Sequence, residues 1–206
     1  MGIDREKALR QLMELKKLGS LKEIRLAAEE WDKPWKILIS TIMSARTRDE
    51  VTIPTATNLF REYNSLGKLA KAEIGDIQKI IKPVNFYKNK SKSIINCAKV
   101  LVRNYNGEVP LDFEELVKLP GVGRKTANVF LSELGGDNIG IDTHVSYISQ
   151  KLGWTKHKDQ KKIEGDLENL FLRKYWNMVN PTLVRFGKSY TSRKRKNELL
   201  DEIKNR

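Results

Sequence analysis

The chain has 206 residues and a formal net charge of +13, with 39% hydrophobic and 32% charged residues, a balance typical of a globular protein that buries a core. Its single cysteine, Cys97, excludes an intramolecular disulfide and any site built from four cysteines, and no apolar run approaches the roughly 20 residues that span a bilayer. The positive charge favours a polyanionic partner such as nucleic acid.

The pattern of apolar residues predicts an almost entirely helical chain. The charged N-terminus has no apolar signal-peptide core, so we expect a cytoplasmic protein. Beyond it, apolar residues recur at spacings of three and four, and short breaks of Gly, Pro, Asn or Asp separate the segments. The predicted helices cover residues 4–17, 21–31, 34–45, 49–63, 66–71, 75–82, 87–105, 112–118, 124–134, 143–152, 159–173, 175–190 and 194–205.

Two polar segments between helices are predicted to have a role beyond packing. Residues 42–49, Ile-Met-Ser-Ala-Arg-Thr-Arg-Asp, carry an apolar helix into a polar turn. Residues 84–91, Val-Asn-Phe-Tyr-Lys-Asn-Lys-Ser, place two aromatics among amides and cations, which suits stacking on unpaired bases. The alternative for Phe86 and Tyr87 is ordinary packing between helices. Cys97 lies on an amphipathic helix and is expected to be buried and unreactive.

The segment Leu119-Pro-Gly-Val-Gly-Arg-Lys-Thr-Ala127 predicts a helix–hairpin–helix. Asp112 is the expected N-cap of its first helix, with Glu115 completing a capping box, and Gly135-Gly136 ends its second helix. Gly121 and Gly123 allow backbone conformations and close approaches that a Cβ would obstruct. Backbone N–H groups at the turn can then grip a phosphate at the positive end of the helix dipole without reading a base.

A lysine and an aspartate near the hairpin can carry chemistry. Lys125 lies two residues past the second glycine, and Asp142 lies in the apolar segment Gly140-Ile-Asp-Thr-His144. A converging amine and carboxylate beside a phosphate are suited to amine chemistry on a nucleic-acid sugar. The simpler alternatives are a surface cation for Lys125 and an N-cap of helix 143–152 for Asp142, and Asp142 can serve as both cap and catalyst.

These motifs, in this order, resemble the endonuclease III family of helix–hairpin–helix DNA base-excision glycosylases over roughly residues 30–192. Besides the hairpin, the matching segments are Ser44-Ala-Arg-Thr-Arg-Asp49, Asn85-Phe-Tyr-Lys-Asn-Lys-Ser91, Asn106-Gly-Glu-Val-Pro110, Ile141-Asp-Thr-His144 and Gly187-Lys-Ser-Tyr-Thr191. The resemblance implies an all-α fold of two lobes with a DNA-binding cleft between them. A six-helix lobe, residues 27–136, would carry the hairpin, and residues 1–26 with 137–206 would form the second lobe.

The resemblance also implies a mechanism and a partner. Lys125 would attack C1′ of the deoxyribose, expel the damaged base and leave a Schiff base that permits β-elimination. The amine acts only when uncharged, a form that desolvation and the neighbouring Arg124 would favour. Asp142 would accept a proton or stabilise positive charge on the sugar. We expect a monomer that acts on damaged double-stranded DNA at the nucleoid and has no membrane partner.

The expected DNA contacts lie on the hairpin and on the two polar segments. By similarity, Arg46 and Phe86 occupy positions that fill the gap left by the flipped nucleotide, where the family most often has Gln and Leu. His144 is given a packing or hydrogen-bonding role. The carbonyls of Leu119 and Val122 form a candidate monovalent cation site. The DNA-contact set is Gly121, Val122, Gly123, Arg124, Thr126, Arg46, Phe86, Lys88 and Lys90.

The C-terminus departs from the family pattern. Many endonuclease III relatives follow Gly-x-Tyr-Thr with four cysteines that hold a [4Fe–4S] cluster, whereas Ser192 stands at the first of these positions here and the others are absent. We therefore expect no cofactor. The tail is expected to pack instead through an apolar helical face of Leu199, Leu200 and Ile203. Its basic start, residues 193–196, is either a solvated helix end or a phosphate contact.

Three functions compete. The favoured one is a bifunctional glycosylase and apurinic/apyrimidinic lyase acting on oxidised pyrimidines. The second is a mismatch or uracil/thymine glycosylase on the same scaffold, in which the position of Lys125 often holds another residue. The third is a non-catalytic helix–hairpin–helix DNA-binding module, which would need Gly121 and Gly123 but not both Lys125 and Asp142.

Overall fold

A computed structural model describes residues 4–206, and every regular element in that range is helical. Residues 1–3, part of the charged N-terminus and of the expected second lobe, lie outside the described residues. A short 3₁₀ helix, Arg173–Tyr175, precedes α11. The α-helices are α1 (Arg5–Gly19), α2 (Pro34–Ser44), α3 (Asp49–Glu62), α4 (Leu66–Ala70), α5 (Ile74–Ile80), α6 (Tyr87–Asn104), α7 (Phe113–Leu116), α8 (Arg124–Glu133), α9 (Thr143–Leu152), α10 (Gln160–Leu170), α11 (Trp176–Ser189) and α12 (Arg193–Asn205).

The helix boundaries follow local capping chemistry. The Asp112 carboxylate accepts a hydrogen bond from Glu115 N at 3.0 Å, which confirms the predicted N-cap of α7. The Glu115 carboxylate binds Lys118 Nζ at 2.6 Å and Tyr105 Oη at 2.7 Å. At the other end of the hairpin, α8 ends at Glu133 and Gly135 takes a φ of +83°, as the glycine pair predicted.

The predicted helix 21–31 is wrong. Residues 21–26 are irregular, and residues 27–30 form turns. The Ala27 carbonyl accepts hydrogen bonds from Trp31 Nε1 and Ser40 Oγ, each at 2.8 Å. Leu26, Ala27 and Ala28 are nevertheless buried. Their spacing imitates a helix because the turn buries several apolar side chains in succession, and tertiary contacts rather than a helical ladder hold the backbone.

The described residues divide into two compact units. One is Arg25–Leu134, and the other joins the described residues up to Ile24 with Gly135–Arg206. The unit Arg25–Leu134 contains α2–α8, which are seven helical segments, two of them only four and five residues long. Its core is built around α6, and Cys97 on that helix is fully buried. Burial raises the pKa of the Cys97 thiol to about 12, as expected for an unreactive cysteine.

The second unit packs α1 and α9–α12 around its own core. Gly19 ends α1 against α11, where an added Cβ would lie 2.9 Å from Phe186 N. The tail helix α12 joins this core through Leu199, Leu200 and Ile203, which are at most 6% exposed, so the predicted packing role of the tail is confirmed. Gln11 ties α1 to this packing, because its Nε2 donates to the Ile203 carbonyl at 3.2 Å. None of the described helices has both the length and the apolar character to cross a bilayer.

Candidate functional site

Backbone hydrogen bonds close the hairpin turn, and the turn requires glycine at position 121. Leu119 N donates to Leu116 O, and Val122 N donates to Leu119 O, both at 3.0 Å. Gly121 has a φ of +82°, and a Cβ there would lie 2.7 Å from Cβ of Ser93 on α6. Position 121 therefore requires glycine for both of the predicted reasons, because its backbone is left-handed and because another residue approaches it closely.

Gly123 differs from that expectation. It is the N-cap of α8 with φ −95° and ψ 174°, an extended conformation open to any residue. Apart from Gly123 itself and its two chain neighbours, no atom of the described chain lies within 4 Å of where its Cβ would stand, and no described side chain caps this end of α8. The protein's own packing thus does not demand glycine at position 123. The space in front of it is open at the positive end of a helix, where an anion can approach the backbone.

The side chains around this helix end have distinct environments. Lys125 lies in the first turn of α8 and is half-buried, whereas Arg124 is exposed, with its guanidinium carbon 4.8 Å from the centre of the Phe113 ring. The side chains of Val122 and Thr126 are buried, at 5% and 6% exposure. Among the predicted contacts, Val122 and Thr126 are therefore limited to contact through their backbone. The carbonyl of Leu119 already accepts the hydrogen bond that closes the turn, and the cation site remains a prediction.

Asp142 is held at the start of α9 in the other unit. Its Oδ1 accepts a hydrogen bond from Val145 N at 2.8 Å, so the predicted N-cap is present. The segment before it is fixed by Asn180 on α11, which is 8% exposed and whose Nδ2 donates to the Gly140 carbonyl at 2.6 Å. Sequence reasoning missed Asn180. The available signal was an amide within an otherwise apolar stretch of helix, directly before Pro181.

Arg46 and Phe86 lie side by side within the unit Arg25–Leu134. The Arg46 guanidinium carbon lies 5.5 Å from the centre of the Phe86 ring, within the range of a cation–π contact. Phe86 is 57% exposed, so packing between helices does not explain it, while Tyr87 does pack against the core. Both Arg46 and Phe86 have left-handed backbones, with φ of 57° and 59°. Lys88 is exposed nearby.

Lys90 requires a correction. It was predicted as a DNA contact, but its side chain is 8% exposed and its ammonium lies among oxygens of the residue 43–47 turn. It donates to Met43 O at 2.7 Å, to Ala45 O at 2.5 Å and to Thr47 Oγ1 at 3.2 Å. Burial lowers its pKa to about 8. Lys90 is an internal link, and basic residues in a loop sequence do not reveal which of them is buried.

The basic start of the tail is exposed at residues 193–195, and Lys196 is half-buried. Ser192 caps α12, accepting a hydrogen bond from Arg195 N at 3.4 Å. The guanidinium carbon of Arg193 lies 5.9 Å from the centre of the Tyr147 ring. Burial also lowers the pKa of Lys196. Ser192 therefore has a structural role as the N-cap of α12.

The chain is similar to known repair proteins. The sequence model of the HhH-GPD superfamily of base excision DNA repair proteins matches residues 39–173. Endonuclease III of Thermotoga maritima is 41% identical over 156 residues, which cover 75% of this chain and 73% of that protein. Endonuclease III of Synechocystis sp. is 35% identical over 191 residues, which cover 92% of this chain and 86% of that protein.

Solved structures have the same fold. A trapped covalent intermediate of endonuclease III with DNA, an estranged-adenine complex, matches with a TM-score of 0.84 and 29% identity, covering 92% of this chain and 89% of that one. A thermostable thymine-DNA glycosylase matches with a TM-score of 0.80 and 18% identity, covering 92% of this chain and 90% of that one. At that identity the similarity shows the fold alone.

Proposed function

Because the chain belongs to the HhH-GPD superfamily of base excision DNA repair proteins, we propose that Lys125 supplies its nucleophile and Asp142 its catalytic carboxylate. The chain is a DNA glycosylase with apurinic/apyrimidinic lyase activity, as its endonuclease III relatives indicate. The observation that carries the proposal is the N-terminus of α8. It combines an open glycine cap, at Gly123, with Lys125 in the first helical turn.

Lys125 performs the covalent steps of this proposal. Its unprotonated Nζ attacks C1′ of the deoxyribose, the bond from C1′ to the base breaks, and the base leaves with a proton. The bond between C1′ and the ring oxygen then breaks, the ring oxygen takes up a proton and becomes a hydroxyl, and a Schiff base forms between Nζ and C1′. The iminium acidifies the C2′ protons, so that removal of one of them expels the 3′ phosphate. Hydrolysis of the Schiff base releases Lys125.

Asp142 combines capping with chemistry. Its Oδ1 is occupied by the hydrogen bond from Val145 N, so we assign the chemical role to Oδ2. That oxygen would accept a proton or stabilise positive charge as the base departs. A cap is a suitable support, since it fixes the side-chain rotamer at the end of a helix. Asn180, through the Gly140 carbonyl, is the second support.

The DNA contacts divide into phosphate and base contacts. We assign the phosphate to the backbone of residues 121–126, where Gly123 leaves open space and the buried Val122 and Thr126 offer only main-chain atoms. Arg124 adds charge at the same helix end. Arg46 and Phe86 would fill the gap left in the duplex, with Arg46 donating to the orphaned base and Phe86 stacking. Lys88 is a further candidate for a phosphate.

We propose oxidised pyrimidines in double-stranded DNA as the substrates, with the protein acting as a monomer at the nucleoid. The assignment rests on the similarity to endonuclease III. A mismatch or uracil/thymine glycosylase has less support, because the likeness to the thymine-DNA glycosylase has only 18% identity. A non-catalytic DNA-binding module is not favoured by these relatives either.

We further propose that the protein works without an iron–sulfur cluster. One cysteine cannot ligate four irons, and Cys97 is fully buried in the core. The tail helix supplies apolar packing, and Ser192 caps it. Purified protein should show no absorbance in the visible band of such clusters and no stoichiometric iron by metal analysis. A brown protein with bound iron would contradict this assignment.

Borohydride trapping tests the catalytic proposal. The wild-type protein should cross-link to duplexes that contain an oxidised pyrimidine or an abasic site, because reduction fixes the Schiff base. Lys125→Ala should abolish the cross-link and retain duplex binding. The matched control is Lys99→Ala, which removes an exposed lysine from α6 and should trap like the wild-type protein.

Two results would overturn the assignment. Undiminished trapping by a folded Lys125→Ala protein would move the nucleophile to another residue. Base release without trapping in the wild-type protein would indicate a monofunctional glycosylase. Running the assay on a panel of duplexes with oxidised pyrimidines, uracil and a G·T mismatch identifies the preferred base within the same experiment.

A further inference from the structure

Two strained residues lie together on the surface of the unit Arg25–Leu134. Within the described residues, three non-glycine positions have left-handed backbones, namely Arg46, Phe86 and Asn106. Asn tolerates that conformation, whereas it is uncommon for residues such as Arg and Phe and persists only where surrounding contacts impose it. The side chains of Arg46 and Phe86 contact each other. Some feature of the structure must hold both backbones in place.

Lys90 is bonded to both segments. Its backbone N–H donates to the Phe86 carbonyl at 3.0 Å in the first turn of α6. Its side chain crosses to the other segment and donates to the carbonyls of Met43 and Ala45, on the N-terminal side of Arg46, and to the hydroxyl of Thr47 on the other side. These acceptors belong to the C-terminal end of α2 and the turn after it, where helical carbonyls lack partners.

Asn85 adds a second link. Its Nδ2 donates to the Arg46 carbonyl at 2.6 Å, and its backbone N–H donates to Thr47 Oγ1 at 3.1 Å. Thr47 Oγ1 thus accepts from both Asn85 and Lys90. Asn85 is exposed, whereas Lys90 is buried. The Arg46 turn and the start of α6 are therefore connected by Asn85 on the solvent side and by Lys90 in the interior.

We propose that Lys90 is a positioning residue that joins the Arg46 turn to the start of α6, so that Arg46 and Phe86 meet the duplex as one preformed pair. This inference rests on the proposed function, in which that pair fills the gap left by the flipped nucleotide. A charged buried side chain is suited to this role because each of its hydrogen bonds is charge-assisted and directional. A preformed pair also avoids the cost of ordering two surface side chains on binding.

The test compares duplex and single-stranded substrates. The duplex carries one oxidised pyrimidine, and excision from it requires the gap to be filled. The single strand carries an abasic site, which has neither an opposite base nor a stack to fill. Lys90→Met keeps the length of the side chain and removes its donors. We expect it to lower kcat/KM on the duplex roughly ten- to a hundred-fold more than on the single strand, the scale of a small misplacement of a positioning group.

Three companion variants sharpen the test. Asn85→Ala should shift the ratio of duplex to single-strand activity in the same direction, and its exposed site keeps it informative if Lys90→Met does not fold. Lys99→Met, on the same helix but exposed, should leave the ratio as in the wild-type protein. In a protein that already carries Arg46→Ala and Phe86→Ala, adding Lys90→Met should cause no further fall in the ratio, because the pair that it positions is gone.

Several outcomes would overturn the inference. Equal losses on both substrates would give Lys90 a general structural role, and an additive loss in the double-alanine background would separate it from the pair. An unchanged ratio in folded Lys90→Met and Asn85→Ala would remove the positioning role altogether. If the wild-type protein neither excises bases nor cross-links with borohydride, the proposed function itself is wrong. Losses of activity in these variants alone would not lead to that conclusion.

Discussion

The ring of His144 lies directly against the backbone of Gly187. A Cβ on Gly187 would stand 2.8 Å from Cγ of His144 and closer still to its Nδ1. His144 belongs to the first turn of α9, two residues after Asp142, and Gly187 lies near the end of α11. The glycine thus sets the distance between the helix that begins at the proposed catalytic carboxylate and the helix that supports it, which fits the packing role predicted for His144.

Gly187→Ala should therefore destabilise the protein by roughly 1–3 kcal/mol, the range for inserting a methyl group into a packed contact. It should also lower base release, because α9 must shift with Asp142. Thermal unfolding and single-turnover rates measure the two effects. Gly165→Ala is the matched control, since its Cβ would meet no atom within 4 Å beyond its chain neighbours and the nearby backbone of its own helix. Gly187→Ala with His144→Ala should recover part of the stability. A stable, fully active Gly187→Ala protein would show that α9 adapts freely.

The two hairpin glycines should separate folding from binding. Gly121→Ala should cost roughly 1–3 kcal/mol of unfolding free energy, because the backbone is left-handed and Ser93 blocks the Cβ. Gly123→Ala should fold nearly as well as the wild-type protein and should bind all duplex sequences about ten-fold more weakly, on the scale of one or two phosphate contacts. Thermal melts and binding isotherms at fixed salt provide both values. Undiminished affinity in Gly123→Ala would place the phosphate elsewhere.

Asp142→Asn should separate capping from catalysis. Asn caps a helix nearly as well as Asp, so the melting temperature should change little. Loss of the carboxylate should lower the single-turnover rate by roughly two or more orders of magnitude, the scale of a lost acid–base group. Circular dichroism checks the fold, and quenched-flow assays give the rate. Wild-type turnover by the folded variant would reduce Asp142 to a cap.

The tail should contribute stability through its buried face. Leu200 is fully buried, so Leu200→Ala should cost roughly 2–5 kcal/mol, while Leu172→Ala, at a site 53% exposed in the same unit, should change stability little. Deleting residues 193–206 should lower both the melting temperature and DNA affinity. Differential scanning calorimetry and binding isotherms measure these changes. An unchanged melting temperature after truncation would contradict the packed position of α12.

Lys90 should leave a signature in the dependence of stability on pH. Burial lowers its folded-state pKa to about 8, while the ordinary value of 10.5 applies to the unfolded chain. Between these values the unfolded chain binds more protons at this site. The contribution of Lys90 to the unfolding free energy therefore rises with pH from about 8 to 10.5, by on the order of 3 kcal/mol. Denaturant titrations should show this rise in the wild-type protein relative to Lys90→Met. Parallel curves for the two proteins would refute it.

The sequence by itself determined the features that depend on neighbours within about four positions. Helical periodicity identified the helices except for residues 21–31, and the caps at Asp112 and Asp142 were predictable because an N-cap bonds a backbone N–H three residues later. The apolar face of α12 followed from the same periodicity. The hairpin motif located Lys125 in the first turn of α8, and the order of motifs along the chain indicated the family.

Only the tertiary structure decided which side chains from distant segments meet. Lys90 is 47 residues from Met43, so nothing local distinguishes this buried link from the exposed Lys88. Tertiary packing also distinguishes the two hairpin glycines. Position 121 requires glycine partly because Ser93 packs beside it, whereas the extended Gly123 has no such neighbour. Asn180 acquires its role only where α11 packs beside the Gly140 carbonyl. Burial and long-range contact are properties of the packed chain, and a pattern of neighbouring residues does not encode them.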